Sequence, residues 1–181
     1  VCNPTTPGQL FHLLRRQVKR AFKKPLIIMA PKSLIRHRSA VSDWKEFTGG
    51  RFKEVIPERK AVESVKRVIA CSGKVYYDLA AYREKHGYNE TAIIRVEQLY
   101  PLNIDALKAA IEPYTKAISF IWCQEESKNM GAWSFIRHRL KNLFGRDFTY
   151  AGRDSSASTA VGSLALHKIE LEQFLEAGFT L

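Results

Sequence analysis

From Val65 onward the apolar positions of this chain alternate between two patterns. Short continuous runs stand at Val68-Ile69-Ala70-Cys71, Ala92–Val96, Ile118–Cys123 and Phe148–Ala151. Between them lie stretches whose apolar residues recur every three or four positions: one running to about Lys85, then Ile104–Ile111, Ala132–Leu143 and Leu164–Ala177. Continuous runs of this length predict strands buried on both faces, and the three-to-four recurrence predicts helices. Strands and helices in strict alternation predict βαβ units: an α/β fold with an open, mostly parallel sheet and helices on both faces.

The first 64 residues follow a different pattern. Thr6-Pro7-Gly8-Gln9 has the form of a capping box with proline at the first helical position. Leu10, Phe11, Leu13, Leu14, Val18 and Phe22 follow with helical recurrence, which predicts a helix over Pro7–Phe22 with basic residues on its other face. Leu26–Ala30 is another continuous apolar run between prolines, which predicts a strand buried on both faces. Residues 31–64 contain Pro31, Gly49, Gly50 and Pro57 and many charges. They read as a connection with a short helix near Trp44–Phe47 and one strand near Phe52–Ile56. There is no internal sequence repeat.

Composition narrows the class without naming a function. With 45% apolar and 26% charged residues in 181, the chain is an ordinary globular sequence, which excludes collagen-like and mainly disordered proteins. The length fits one domain, or one domain plus a piece of another. No apolar run approaches the ~20 residues of a membrane span. The chain begins with Val1, and nothing there resembles a signal peptide, so it reads as a part of something longer. Cys2, Cys71 and Cys123 are odd in number and lack CxxC spacing, which argues against a disulfide framework or zinc site and for a reducing compartment. The five histidines show no metal-ligand spacing.

The net charge of +11 is uneven: residues 1–60 carry 14 Lys/Arg against 4 Asp/Glu, residues 61–181 carry 15 against 14. Arg15, Arg16, Lys19, Arg20, Lys23 and Lys24 form a basic cluster. Such a cluster suits a solvated helix face, an acidic protein surface or phosphates. It has no Gly, Tyr or Trp among its charges, which weakens a nucleic-acid reading.

Chemistry in open α/β sheets gathers at the carboxyl ends of strands. Four segments fall there. Ser72-Gly73-Lys74 suits either an anion at a helix N-terminus or a tight turn capped by serine. Gln124-Glu125-Glu126 offers adjacent carboxylates, for acid–base work or a structural role. Gly152–Ser158, with Arg153, suits anion contact or a self-satisfied loop. Glu97-Gln98 precedes Tyr100-Pro101. None of these carries a nucleophile–base pair or a metal cluster, so no catalytic and no metal-binding residue is nominated.

Several longer strings go further. Pro4-Thr5-Thr6-Pro7 with Phe11–Gln17, Pro31-Lys32-Ser33-Leu34 with Arg36-His37, and Cys71–Leu79 are three of them. Ile94–Pro101, Trp122–Glu126 with Asn129 and Gly131-Ala132-Trp133, and Tyr150–Arg153 with Ser156-Ala157-Ser158 complete the set. Together they resemble the C-terminal end of the 2-oxoglutarate dehydrogenases, thiamine-diphosphate enzymes of transketolase-like architecture. The resemblance implies that residues 1–30 are the last helix and strand of a pyrimidine-binding domain. Residues 31–64 would be the connection, and 65–181 a transketolase-type C-terminal domain. It implies thiamine diphosphate and Mg²⁺ for the whole enzyme, with none bound by this segment. It also implies a homodimer, a dihydrolipoamide succinyltransferase partner, and a bacterial cytoplasm or mitochondrial matrix. The segment would support the dimer without being catalytic alone. A related dehydrogenase of another 2-oxo acid, such as 2-oxoadipate, is the second reading, and a basic nucleic-acid-binding module the third. Actinobacterial relatives bind acetyl-CoA in this region. Arg16 and Gln98 match that set here, whereas Arg51, Glu54, Asp105 and Ala106 stand where it has Lys, Ser and an arginine pair, so no tight acetyl-CoA site is expected. Arg16, Gln98, Ser72, Gly73, Lys74 and Arg153 are thus the anion or effector candidates.

Overall fold

The computed structural model describes residues 1–59 and 64–181. Five strands form one sheet: β1 (Val55–Ile56), β2 (Arg67–Cys71), β3 (Thr91–Val96), β4 (Ser119–Cys123) and β5 (Thr149–Ala151). Their order is β1-β3-β2-β4-β5. β3, β2, β4 and β5 run parallel, and β1 is an antiparallel edge strand on β3. The helices are α1 (Pro7–Lys19), α2 (Trp44–Gly49), α3 (Val75–His86), α4 (Ile104–Ile111), α5 (Trp133–Phe144) and α6 (Leu164–Thr180). Two 3-10 turns lie at Lys32–Arg36 and Glu112–Tyr114.

Successive strand residues point to opposite faces, so each continuous run serves two cores. Val68, Ala70, Ile94, Val96, Phe120 and Trp122 pack with α4 and α5 on one face. Ile69, Cys71, Ile93, Ile121, Cys123 and Ala151 pack with α3 and α6 on the other. The end of the expected connection, residues 60–63, lies outside the described residues.

Two expectations need correction. The first helix ends at Lys19, so Phe22 lies beyond it. Val18 and Phe22 find no core among the described residues, being 74% and 52% exposed, and Arg20 turns to extended backbone. Leu26–Ala30 is not a strand buried on both faces. Its described ladder contacts are with Cys2, whose N–H donates to Ile27 O at 2.9 Å and whose carbonyl accepts from Met29 N at 2.8 Å. Leu26 and Ile28 turn toward a small cluster of Cys2, Leu13 and Phe52, while Ile27 and Met29 stay exposed. An apolar run becomes a central strand only where neighbours cover both edges and both faces, and among the described residues this run has a neighbour on one edge.

What positions the candidate site is the path of the first five residues. They lie across the exit of β3: Asn3 N donates to Glu97 O at 2.8 Å, and Leu99 N donates to Val1 O at 2.9 Å. On the other side, Glu97 N donates to Glu54 O at 2.9 Å. The segment after β3 is therefore sandwiched between the start of the chain and the approach to β1.

Candidate functional site

Glu97 is the hub of the carboxyl end of β3. It is fully buried. One carboxylate oxygen accepts from the Thr5 hydroxyl, and the other from Thr5 N at 2.9 Å and Gln9 Nε2 at 3.3 Å. Arg95, two residues back on the same face, donates to Thr5 Oγ1 at 2.8 Å and lies over the Tyr76 ring at 4.0 Å. The Tyr77 hydroxyl donates to Thr5 O at 2.6 Å. Burial pushes the Glu97 carboxyl above its ordinary pKa, and Arg95 and the Thr5 and Gln9 donors pull it back. The carboxylate also sits at the first turn of α1, where the helix dipole favours a negative charge.

The capping box is half formed. Thr6 caps α1 by accepting from Gln9 N. The Gln9 side chain does not reach back to Thr6. It brackets Lys53, accepting from its N–H at 3.1 Å and donating to its carbonyl at 2.6 Å. That choice ties α1 to the approach of β1 as well as to Glu97.

Arg16 and Gln98, far apart in sequence, are brought together. Arg16 donates to Gln98 Oε1 at 2.6 Å, pairs with Glu54 at 3.0 Å and lies 4.3 Å over the Phe52 ring. Gln98 Nε2 donates to Pro101 O at 2.7 Å. Lys74 pairs with Asp78 at 2.8 Å and Glu125 at 3.2 Å. Burial works against the Lys74 ammonium, but the two carboxylates outweigh it, and its pKa stands above the ordinary value. Gly73 takes φ +78°, and a Cβ there would collide with the Asn3 amide. Ser72 is buried at the same turn. Arg153 Nε donates to Glu170 at 2.7 Å. Each of the three candidate cations therefore already holds a carboxylate.

Gln124 organises a loop. Its Oε1 accepts from Trp122 Nε1, Ala132 N and Trp133 N, and its Nε2 faces the carbonyls of Glu126, Ser127 and Met130. Glu125 turns to Lys74, while Glu126, half-buried, has its carboxyl pushed up by burial. The neighbouring carboxylates thus serve different contacts.

Sequence reading missed Thr5, Gln9, Arg95 and Tyr77 as members of the cluster. A signal for Arg95 and Glu97 was present: two charges in a segment whose other residues are apolar. It also missed the Glu58–Arg83 pair, 2.6 Å apart with both side chains buried, which supports β3 through Ile93 N donating to Glu58 at 2.7 Å. A cleft of about 750 Å³ opens at the opposite, amino ends of the strands, beside Lys66, Arg67, Glu90 and Ser119.

Residues 41–179 match the family model described as 2-oxoglutarate dehydrogenase C-terminal. The chain belongs to that family. Its similarity to whole proteins extends beyond the matched region. It is 50% identical over 99% of its length to the 2-oxoglutarate dehydrogenase E1 component of Cupriavidus necator. It is 49% identical over 97% of its length to that of Coxiella burnetii. It is 44% identical over 99% of its length to the mitochondrial 2-oxoglutarate dehydrogenase of Dictyostelium discoideum. The chain spans 19% of each of these relatives. Family membership places the fold among transketolase C-terminal-like α/β domains and displaces the basic nucleic-acid module. No described helix is long and apolar enough to cross a membrane.

Proposed function

We propose that this chain is the C-terminal portion of a 2-oxoglutarate dehydrogenase E1 component. That enzyme oxidatively decarboxylates 2-oxoglutarate and passes the succinyl group to the lipoyl group of a dihydrolipoamide succinyltransferase partner. The carrying observation is 50% identity over 99% of the chain to a protein of that name. The names of the relatives favour 2-oxoglutarate over 2-oxoadipate.

In this reading the segment supports a homodimer and the neighbouring catalytic domains. Thiamine diphosphate supplies the enzyme's decarboxylation chemistry when bound. Among the described residues nothing favours its metal-diphosphate group: Arg16, Lys74 and Arg153 are each bonded to a carboxylate, and no cluster of three potential metal ligands forms. Residues 1–30 are assigned to the end of the pyrimidine-binding domain. The exposed Leu14, Val18, Phe22, Ile27 and Met29 support this as a face that the rest of the enzyme covers. Glu54 beside Arg16 disfavours a phosphate there, which supports the absence of a tight acetyl-CoA site.

Two measurements test the proposal. The purified 181-residue chain, with thiamine diphosphate and Mg²⁺, is expected not to consume 2-oxoglutarate. A chimera carrying it in place of the last fifth of the Cupriavidus necator enzyme is expected to stay active and dimeric. Turnover by the isolated chain, or a folded but inactive chimera, would refute the reading.

A further inference from the structure

The second part of the chain is near neutral as a sum but not as a surface. Residues 133–147 hold Arg137, Arg139, Lys141 and Arg146 against Asp147. The remainder of residues 61–181 has 11 Lys/Arg against 13 Asp/Glu. The whole positive surplus of this part therefore sits on α5 and the turn that follows it.

These cations differ from those at the strand ends. Lys74 and Arg153 are bonded to carboxylates. Arg137, Arg139 and Arg146 are exposed and have no carboxylate within ion-pair distance among the described residues. Each instead lies over an aromatic ring: Arg137 over Trp133 at 5.8 Å, Arg139 over Phe135 at 3.7 Å, and Arg146 over Phe120 at 4.5 Å. Arg139 is further held by donating to Phe135 O at 2.6 Å. Phe135 also forms a T-shaped pair with Tyr100, which is 62% exposed.

Helix geometry spreads these groups over a broad face. α5 buries Trp133, Ile136 and Leu140. At 100° per residue, Arg137 and Arg139 then fall on opposite flanks, with His138 and Lys141 between them. A guanidinium stacked on a ring loses less rotamer freedom when it meets a carboxylate, and its edge N–H groups remain free for bidentate bonds. Exposed Arg and Tyr are also the residue types that anchor protein interfaces. Trp133 and Phe120 are buried in the core and the Phe135 ring lies under Arg139, so these three rings offer no open platform for stacking a base.

We propose that α5 and the Gly145–Asp147 turn form a docking surface for an acidic polypeptide segment of a partner protein, gripped by Arg137, Arg139 and Arg146. The recognition is bidentate and stacked, so it depends on guanidinium groups and not on charge alone.

The test uses a fluorescent oligo-glutamate peptide about as long as the helix. Binding to the 181-residue chain is measured by anisotropy at ~150 mM salt, where long-range charge effects are largely screened. Three triple variants are compared. Changing the three arginines to Gln is expected to abolish binding. Changing them to Lys keeps the charge and is expected to weaken binding about tenfold. Changing Arg15, Lys19 and Lys23 to Gln removes the same charge elsewhere and is expected to weaken it less than the Lys variant does. The side chains altered are exposed, and unchanged melting temperatures confirm folding. Equal weakening by both Gln variants, no effect of the Lys variant, or no binding by the parent chain would overturn the proposal. So would tighter binding of a charge-matched single-stranded oligonucleotide than of the peptide.

Discussion

Glu97 illustrates how a single side chain joins segments distant in the chain. Its carboxylate collects donors from Thr5 and Gln9 while Arg95 lies nearby. Glu97→Gln replaces one acceptor oxygen with an NH2 group that faces donors, and a buried unsatisfied polar group costs about 1–3 kcal/mol. Urea unfolding should show a loss of that order. The pH dependence follows from the raised carboxyl pKa. A folded-state value above the unfolded one adds stability that is full below the unfolded pKa and is lost as pH rises through the folded one. The stability difference between parent and Glu97→Gln should therefore be larger at pH 4 than at pH 8. A difference that grows with pH would contradict this. The cysteines make a second case. All three are buried and free, and burial pushes Cys71 up to about 12 and Cys123 well above its ordinary value. A thiol reagent at pH 8 should label none of them in the folded chain and all of them in denaturant. The cysteine reading from sequence as small buried hydrophobes agrees with this, because an apolar run implies burial directly. The role of Thr5 had no such local sign: its partner is 92 positions away.

At the scale of elements, the strands and helices after Val65 follow the apolar pattern closely, since both faces of the sheet are covered within this chain. The early segment does not. Leu26–Ala30 has strand composition but one described ladder neighbour, and α1 stops where its apolar stripe loses contact. The turn between β2 and α3 depends on Gly73, whose φ of +78° and contact with Asn3 exclude a side chain. Gly73→Ala should lower stability by more than about 1 kcal/mol, read from a denaturant midpoint. The loop between β4 and α5 depends on the Gln124 amide. Gln124→Ala should speed hydrogen exchange at Ala132 N and Trp133 N, which it now holds at 3.1 and 2.9 Å. Exchange unchanged at those amides would show that the loop stands without it.

For the whole molecule, the positive charge concentrates in two stretches, residues 1–60 with a surplus of ten and residues 133–147 with a surplus of three, while the remainder is slightly acidic. The exposed apolar residues between Leu14 and Met29 lie within the first of them. In a full-length enzyme the amides of residues 18–30 should exchange more slowly than in the isolated chain, because the proposed neighbouring domain covers them. Equal exchange in both would remove that covering. Periodicity and composition were enough for the class of fold and for the strands and helices after Val65, because burial on two faces writes itself into local apolar runs. Motif strings added the family. Three things depended on contacts between remote positions. The first was whether an apolar run would find neighbours on both edges. The second was which carboxylate each candidate cation would meet. The third was that Thr5, Gln9, Arg95 and Glu97 would close on one buried point. Such choices rest on which surfaces meet after the chain has folded, and a side chain's partner across 80 or 90 residues is decided by that geometry alone.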